Sequence, residues 1–204
     1  MIVIVDYGVG NLASISNMFK KIGVTSVISS KKEDIMSADK ILLPGVGAFD
    51  TCAQRIAESG LVDCLTRKVI DEQTPLLGIC VGMQLLMDES EEGKLQGLGW
   101  IPGKVIRFRQ EKLPEGMKVP HIGWAEVNEA KPSALFKNMH EEPRFYFVHS
   151  FHVQTKHEED ILLVSDYGYR FTAAVQRGNI TGVQFHPEKS HKFGMRLLEN
   201  FATQ

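Results

Sequence analysis

Residues 75–87 read Pro-Leu-Leu-Gly-Ile-Cys-Val-Gly-Met-Gln-Leu-Leu-Met, with Gly78 and Gly82 placed two positions before and after Cys80. The apolar run Pro75–Ile79 predicts a buried strand, and the residues after Cys80 have a helical pattern. A nucleophile on the sharp turn between a strand and a helix needs neighbours without bulk. The stretch therefore predicts a nucleophile elbow in which sulfur replaces the usual serine oxygen. It is too short and too polar to span a bilayer.

The elbow gives Cys80 two chemical advantages. A cysteine at a helix N-terminus has its thiolate favoured by the helix dipole and the free N–H groups. The backbone N–H of Val81 is then placed to bind a developing oxyanion. The alternative, a buried cysteine that only packs, stays open on this motif alone. Cys52 and Cys64 lack glycine neighbours and lie on helical patterns, so we expect both to be inert.

Strands and helices alternate on either side of the elbow in the first half of the chain. The predicted elements are Ile2–Asp6, Asn11–Ile22, Val24–Ser29, Lys40–Leu43, Ala53–Ile70 with a break near Ser59-Gly60, and Pro75–Ile79. This order is typical of βαβ units around a parallel sheet covered by helices. We expect one α/β domain over residues 1–204.

The second half changes to shorter connections and alternating strands, which predicts an antiparallel or mixed extension of the sheet. Its predicted strands are Lys104–Arg109, Trp124–Asn128, Arg144–His149, Ile161–Ser165, Phe171–Gln176 and Ile180–Phe185. An amphipathic helix over Ser190–Phe201 closes the chain.

Composition excludes several classes of protein. Apolar residues make up 43% and charged residues 24% of the 204 residues, as in ordinary globular proteins. The net charge of −2 lacks the basic excess typical of nucleic-acid-binding domains. The chain starts with the strand-like Ile2–Val5 rather than the basic segment of a signal peptide. Its three cysteines do not resemble the disulfide framework of a secreted protein. We expect a soluble cytoplasmic protein that binds neither membrane nor nucleic acid.

His186 is the best candidate for the base that a thiol nucleophile needs. It follows the predicted strand Ile180–Phe185, and Glu188 two residues later is placed to fix its tautomer. His149 and His152 suggest a metal pair, but on one strand their rings would point to opposite faces, so we expect no metal site. The remaining histidines are interpreted as surface or structural residues: His121, His140, His157 and His191.

Two glycine-rich loops follow predicted strands. Residues 8–13 loosely fit a dinucleotide-binding loop, but strand two ends without the acidic residue that would hold a ribose, so we expect no cofactor. The second loop, Pro44–Gly47, lies at the carboxyl end of a strand. There the N–H groups of Val46 or Gly47 are candidates for a second oxyanion donor.

The order Cys80, His186, Glu188 resembles that of the class I glutamine amidotransferases. The similarity is closest to the glutaminase subunits of imidazole glycerol phosphate synthases, in the segments 6–12, 44–49, 78–86, 121–124, 146–151 and 184–190. The resemblance implies a flavodoxin-like, mostly parallel sheet flanked by helices. It also implies that Cys80 attacks glutamine, that His186 transfers the protons and that Glu188 orients His186.

The resemblance implies further roles. Gln84 and Glu92 match positions that hold the α-amino and carboxylate end of glutamine, helped by the backbone of Ser150 and Phe151. Three residues match the partner interface and ammonia path: Tyr146, Asn11 and Trp124. The sequence departs from the family pattern at Ala125, where Asn is usual, and at Phe151, where Tyr is frequent.

The implied partner is a (β/α)₈-barrel cyclase, a separate chain that forms a heterodimer with this one and uses the ammonia in histidine biosynthesis. In this family the oxyanion loop becomes productive only when the partner binds its ligand, so we expect the Val46 N–H to point away from the site in the free protein. Three alternatives stay open: a stand-alone cysteine hydrolase, a glutaminase of another pathway such as pyridoxal phosphate synthesis, and a binding module with an inert Cys80.

Overall fold

A computed structural model describes residues 1–204. The strands are β1 Ile2–Val5, β2 Ser26–Ser29, β3 Lys40–Gly45, β4 Leu76–Cys80, β5 Glu89–Ser90, β6 Gly103–Arg107, β7 His121–Glu126, β8 Asn128–Glu129, β9 Arg144–His149, β10 Phe151–Thr155, β11 Ile161–Tyr167, β12 Tyr169–Arg177 and β13 Ile180–Val183. The helices are α1 Leu12–Lys21, α2 Lys32–Met36, α3 Phe49–Glu58, α4 Val62–Thr66, α5 Val81–Gln84 and α6 His191–Thr203. No helix has the length and apolar character needed to cross a membrane.

Five parallel strands form the centre of the molecule in the order β2-β1-β3-β4-β13. Strands β1, β4 and β13 are buried along their whole length because both faces of the sheet are covered. Right-handed crossovers put α1 on one face and α2 to α4 on the other. This order is that of the flavodoxin-like folds. It confirms the predicted parallel α/β sheet.

An extension continues the sheet beyond β13 with the antiparallel strands β12, β10 and β6, and the short β5 pairs with β6 in parallel. Strand β11 pairs with β12, and the short β8 pairs with β11. Strands β7 and β9 form a separate two-stranded antiparallel sheet. The predicted mixed extension in the C-terminal half is therefore confirmed.

Several predicted boundaries are wrong. The helical segment predicted over 53–70 does break near Ser59-Gly60, as predicted, but α3 starts earlier, at Phe49, and α4 is followed by one π-helical turn over Arg67–Asp71. Helix α2 has only five residues, too few to show a period in the sequence. Strand β7 begins at His121, before the predicted start at Trp124.

The expected geometry of His149 and His152 is also wrong. The chain leaves one sheet at Ser150 and enters the other, so the two histidines lie on β9 and β10 rather than on one strand. Both rings contact the Phe108 ring, with centroid distances of 5.1 and 4.7 Å. A break of one residue inside an apolar segment leaves no trace in the alternation, which is why the sequence did not reveal it.

His121, His149 and His152 together predict that the fold is sensitive to acid. Burial lowers the pKa of His121 and His152 to about 4 and that of His149 to about 3. The unfolded chain therefore binds more protons than the folded one below pH 6.5, and the free energy of unfolding should fall as the pH falls from 6.5 towards 4.

Urea unfolding across this pH range would measure the effect. His152→Phe keeps a ring against Phe108 and removes one titrating group. The slope of its free energy of unfolding against pH should therefore be shallower than that of wild type by up to about 1.4 kcal/mol per pH unit. Ile35→Ala, a buried change without a titratable group, should lower stability and keep the wild-type slope. Equal slopes in wild type and His152→Phe would contradict the prediction.

Candidate active site

Cys80 lies on a strained turn between β4 and α5. Its φ of 55° and ψ of −113° place it in a region that residues with a side chain rarely adopt. The neighbouring glycines make this turn possible. A Cβ on Gly82 would lie 2.0 Å from the carbonyl oxygen of Leu43, and one on Gly78 would lie 2.8 Å from that of Gly82. The backbone thus has the geometry of the predicted elbow.

The parallel pairing of β13 with β4 brings the candidate base to the elbow. Val183 is opposite Ile79, so the residues that follow the two strands meet at one edge of the sheet. There Cys80 and His186 line the same cavity, and Nδ1 of His186 lies 2.8 Å from Oε1 of Glu188. The three candidate catalytic side chains are therefore brought together at this edge.

The loop that carries His186 is fixed by its own backbone. The His186 N–H donates to the carbonyl oxygen of Tyr146 at 2.9 Å, and the Ser190 hydroxyl donates to the carbonyl oxygen of His186 at 2.6 Å. Ser190 Oγ also accepts the N–H of Tyr146 at 3.0 Å. These bonds tie the loop to β9 and hold the imidazole in place.

Burial and two neighbouring side chains determine the pKa of His186. Burial by itself would lower this pKa, but the adjacent Cys80 and Glu188 outweigh burial and raise it to about 10. The imidazole is therefore protonated at neutral pH. The Glu188 side chain is only 1% exposed, and its Oε2 has no hydrogen-bond partner. Since Oε1 faces His186, the imidazolium is the main compensation for this buried carboxylate.

Asn11 lies behind the catalytic carboxylate. It precedes α1 but does not cap the helix with its side chain, as an asparagine there usually does. Its Nδ2 instead donates to Oε1 of Glu188 at 3.4 Å. The structure thus places this residue, which the resemblance assigned to the interface and ammonia path, against Glu188.

The candidate oxyanion loop, Pro44–Gly47, begins at the end of β3, beside the elbow. Two buried side chains donate hydrogen bonds to its backbone. The Tyr7 hydroxyl donates to the carbonyl oxygen of Pro44 at 2.6 Å, and the Cys52 thiol donates to that of Val46 at 3.3 Å. Cys52 is thus a buried structural residue, consistent with the expectation that it is inert.

A cavity of about 420 Å³ opens over the Cys80 sulfur, a size that suits a small metabolite. It is lined by Val46, Gly47, Cys80, Val81, Gln84, Glu92, Pro120, Val148, His149, Ser150, Phe151, His186 and Lys189. The candidate oxyanion residues and the candidate substrate residues all belong to this lining. Glu188 lies behind His186, and the lining does not include Asn11, Tyr146 or Trp124.

The substrate-binding candidates are already partly bonded. Gln84 donates from Nε2 to the carbonyl oxygen of Phe151 at 3.2 Å and to Oε1 of Gln184 at 3.0 Å. Glu92 accepts the N–H of Phe49 through Oε2 at 2.9 Å. Each side chain therefore keeps one oxygen, Oε1, for other partners at the cavity.

Sequence reasoning missed several residues near the sulfur. Gln184 places Nε2 3.8 Å from Sγ of Cys80, and His149 and Lys189 line the cavity. Gln184 and His186 lie on one extended segment with a single residue between them, and side chains two positions apart on such a segment share a face. This spacing from His186 could have predicted that Gln184 lies at the site. Nothing in the sequence indicated the position of His149 on the cavity wall.

Exposed apolar side chains lie on β7, the strand that begins directly after Pro120 of the cavity lining. Ile122 and Trp124 are 58% and 44% exposed, an unusual degree for such side chains. The Trp124 ring stacks on His191 and meets the Tyr146 ring edge to face. Ala125 is opposite Phe145 and packs against the core. We call Ile122, Trp124 and Tyr146 the β7 face.

A cysteine on a strained elbow, beside His186 and a buried carboxylate on a flavodoxin-like sheet, defines a class of enzymes that act through a cysteine nucleophile. The family model "Glutamine amidotransferase class-I" matches residues 3–204, and the chain belongs to this family. Within it, relatives that match over their full length include HisH subunits of imidazole glycerol phosphate synthase. The chain is 51% identical over 204 residues to subunit HisH 2 of Methanococcus maripaludis, covering 100% of both chains. It is 50% identical over 201 residues to subunit HisH 2 of Pseudomonas aeruginosa, covering 98% of each.

Solved structures support the same fold. A crystal structure of a glutamine amidotransferase aligns with a TM-score of 0.70 at 21% identity, covering 98% of this chain and 97% of that one. The structure of PurLQS from Thermotoga maritima aligns with a TM-score of 0.69 at 18% identity, covering 98% and 96%. At such identities the likeness concerns the fold alone.

The site predicts that one of the three cysteines reacts selectively. Burial raises the pKa of Cys52 and of Cys64, which keeps both as thiols, whereas Cys80 lines the cavity beside an imidazolium. A glutamine-like diazo-ketone should therefore label Cys80 and leave Cys52 and Cys64 unmodified. Peptide mass mapping would show the site of labelling, and Cys80→Ala should remove the label. Equal labelling of all three cysteines would contradict a nucleophilic Cys80.

Proposed function

We propose that this chain is the glutaminase subunit of an imidazole glycerol phosphate synthase. It hydrolyses glutamine to glutamate and ammonia through a thioester on Cys80, as one domain over residues 1–204. The observation that supports this most is that Cys80 and His186 line one cavity, with Glu188 bonded to His186 from behind, in a chain half identical to HisH 2 of Methanococcus maripaludis over its whole length. That identity favours this function over a glutaminase of another pathway and over a stand-alone hydrolase.

The first half of the reaction forms the thioester. The Cys80 thiol gives its proton to His186, whose raised pKa favours this transfer. The sulfur attacks the side-chain carbonyl carbon of glutamine, a C–S bond forms, and the carbonyl oxygen becomes an oxyanion. His186 then gives its proton to the amide nitrogen. The C–N bond breaks and ammonia leaves. The second half reverses the roles: neutral His186 takes a proton from water, the hydroxide attacks, and the C–S bond breaks to release glutamate.

Two backbone donors stabilise the oxyanion in this scheme. The Val81 N–H is fixed at the start of α5, directly after the nucleophile. The second donor comes from the loop Pro44–Gly47, through Val46 or Gly47. We propose that the Val46 N–H points away from the oxyanion until the partner binds its ligand. One missing oxyanion donor costs about 10²–10³ in rate, which would couple the two active sites.

The cavity suits the amino-acid end of glutamine. The Glu92 carboxylate lines the cavity and has Oε1 left for an α-ammonium group, and Gln84 keeps Oε1 as a second acceptor. The Ser150 and Phe151 backbone forms the opposite part of the lining. Phe151 in place of the frequent tyrosine does not alter a role that the backbone performs. No cofactor enters this mechanism.

The partner we propose is a separate (β/α)₈-barrel cyclase, bound in the cytoplasm as a heterodimer. Free ammonia in water is mostly ammonium at neutral pH, which is a poor nucleophile, so a shielded passage between the active sites has a chemical purpose. The β7 face offers exposed apolar surface for such docking. We also assign Asn11, which donates to Glu188, to the proposed ammonia passage.

Ammonia release with and without the partner tests the function directly. We expect slow glutamine hydrolysis by the isolated chain and a rise of about 10²–10³-fold when a barrel cyclase and its ribotide ligand are added. Cys80→Ala should bind the cyclase and release no ammonia in either case, because it lacks only the nucleophile. Equal rates with and without the liganded cyclase would contradict the proposed coupling. Ammonia release by Cys80→Ala would contradict the assigned nucleophile.

Glu188→Gln tests the role of the buried carboxylate. The amide cannot compensate an imidazolium, so kcat should fall by roughly 10²–10⁴-fold without being abolished. Because Glu188 raises the pKa of His186, the limb of the pH–rate profile that reports His186 should move to lower pH. Glu159→Gln, on an exposed turn, should match wild type. A Glu188→Gln variant as inactive as Cys80→Ala would show that orientation is not its main role.

A further inference from the structure

Gln184 is a buried amide that contacts the nucleophile and that the mechanism above does not use. It directly follows β13, and none of its surface is exposed. Its Nε2 donates to Sγ of Cys80 at 3.8 Å, and its Oε1 accepts from Nε2 of Gln84 at 3.0 Å. Gln184 is not part of the cavity lining. It therefore reaches the sulfur from the protein interior and leaves the cavity free for substrate.

The direction of this contact follows from the atoms around it. The carbonyl oxygen of Phe151 only accepts, so Gln84, 3.2 Å away, must present its amino group there. The same amino group faces Gln184, which must therefore turn its oxygen towards Gln84 and its own amino group towards the sulfur. The Cys80 sulfur is thus the acceptor of an N–H whose orientation the protein has already fixed.

The strength of this hydrogen bond depends on the charge of the sulfur. A buried N–H needs an acceptor, and the sulfur of a neutral thiol is a weak one. A thiolate is charged, and hydrogen bonds to a charged partner are roughly twice as strong as those between neutral groups. The Gln184 N–H therefore binds the thiolate of Cys80 better than its thiol or its thioester.

We propose that Gln184 is a further catalytic residue, which stabilises negative charge on the Cys80 sulfur through its Nε2–H group. Its role in turnover rests on the proposed function, in which the sulfur is charged before the attack and again when the C–S bond breaks. Gln184 keeps its protons throughout, and the thiol proton still goes to His186. Its role differs from that of the oxyanion donors, which stabilise charge on the substrate oxygen.

A residue that only supports Gln84 is the structural alternative, and three substitutions separate the two roles. Gln184→Met has a similar length and removes both hydrogen bonds. Gln184→Asn keeps an amide in the core but is one methylene shorter, which withdraws the amino group from the sulfur. Gln84→Met is the matched control. It removes the bond between the two glutamines and keeps the donor to Cys80, because a charged sulfur itself favours the amino group on its side.

The first measurement needs no enzymatic activity. The isolated chain is alkylated with iodoacetamide over a range of pH, and mass spectrometry follows the peptide that carries Cys80. We expect the midpoint of the rate against pH to rise by about one unit in Gln184→Met and Gln184→Asn. Gln84→Met should keep the wild-type midpoint. Thermal unfolding checks that each variant is folded, and Gln184→Asn decides if Gln184→Met is not.

Two results of this measurement would overturn the proposal. A wild-type midpoint in the folded Gln184 variants would show that the amide does not stabilise the thiolate. An equal rise in Gln84→Met would show that the midpoint follows the bond between the glutamines rather than the donor to the sulfur.

The second measurement is glutaminase kinetics of the complex with a liganded barrel cyclase. We expect Gln184→Met to lower kcat about tenfold with KM for glutamine within about twofold of wild type, and Gln84→Met to raise KM. A raised KM with an unchanged kcat in Gln184→Met would assign this residue to the support of Gln84 and overturn the proposal. If the wild-type complex does not hydrolyse glutamine, the proposed function fails, and the alkylation profile still decides whether Gln184 stabilises the thiolate.

Discussion

The parallel pairing of β4 with β13 is the constraint on which the site depends. These strands are far apart in the sequence, yet their register places Ile79 opposite Val183, so that Cys80 and His186 emerge at the same edge. Parallel neighbours end on the same side of a sheet, whereas antiparallel pairing would have sent the two residues to opposite edges. The helices on both faces bury β4 and β13 completely and thereby fix this register.

The elbow converts that placement into reactivity. Gly82 lets α5 lie directly against the Leu43 carbonyl, and this packing helps to hold Cys80 at a positive φ. Cys80 and the buried Glu188 together raise the pKa of their neighbour His186. The backbone strain and the unbonded Oε2 of Glu188 are both costly, and the apolar core around the sheet provides the stability to maintain them.

The walls of the cavity come from two different sheets. The elbow and the candidate oxyanion loop belong to the parallel sheet, whereas His149 belongs to the small β7–β9 sheet and Phe151 starts the strand after it. The small sheet also presents the exposed Trp124. Contact with a partner on that surface is therefore only a few residues from the segment proposed to hold the substrate. This arrangement gives a physical route by which docking and substrate binding influence each other.

The sequence by itself determined the parallel α/β class, the elbow at Cys80, and the pairing of His186 with Glu188, because each depends on local signals: apolar runs, glycine spacing and a short histidine motif. It placed most strands of the extension but missed α2, which is too short to show a period, and β10, which follows β9 after the single residue Ser150. The tertiary structure alone decided that Gln184 would approach the sulfur, that Asn11 would contact Glu188 and that His121 would bond His149. Those contacts join residues from different elements, and their existence depends on sheet register and on which strands become neighbours, information that no local pattern contains.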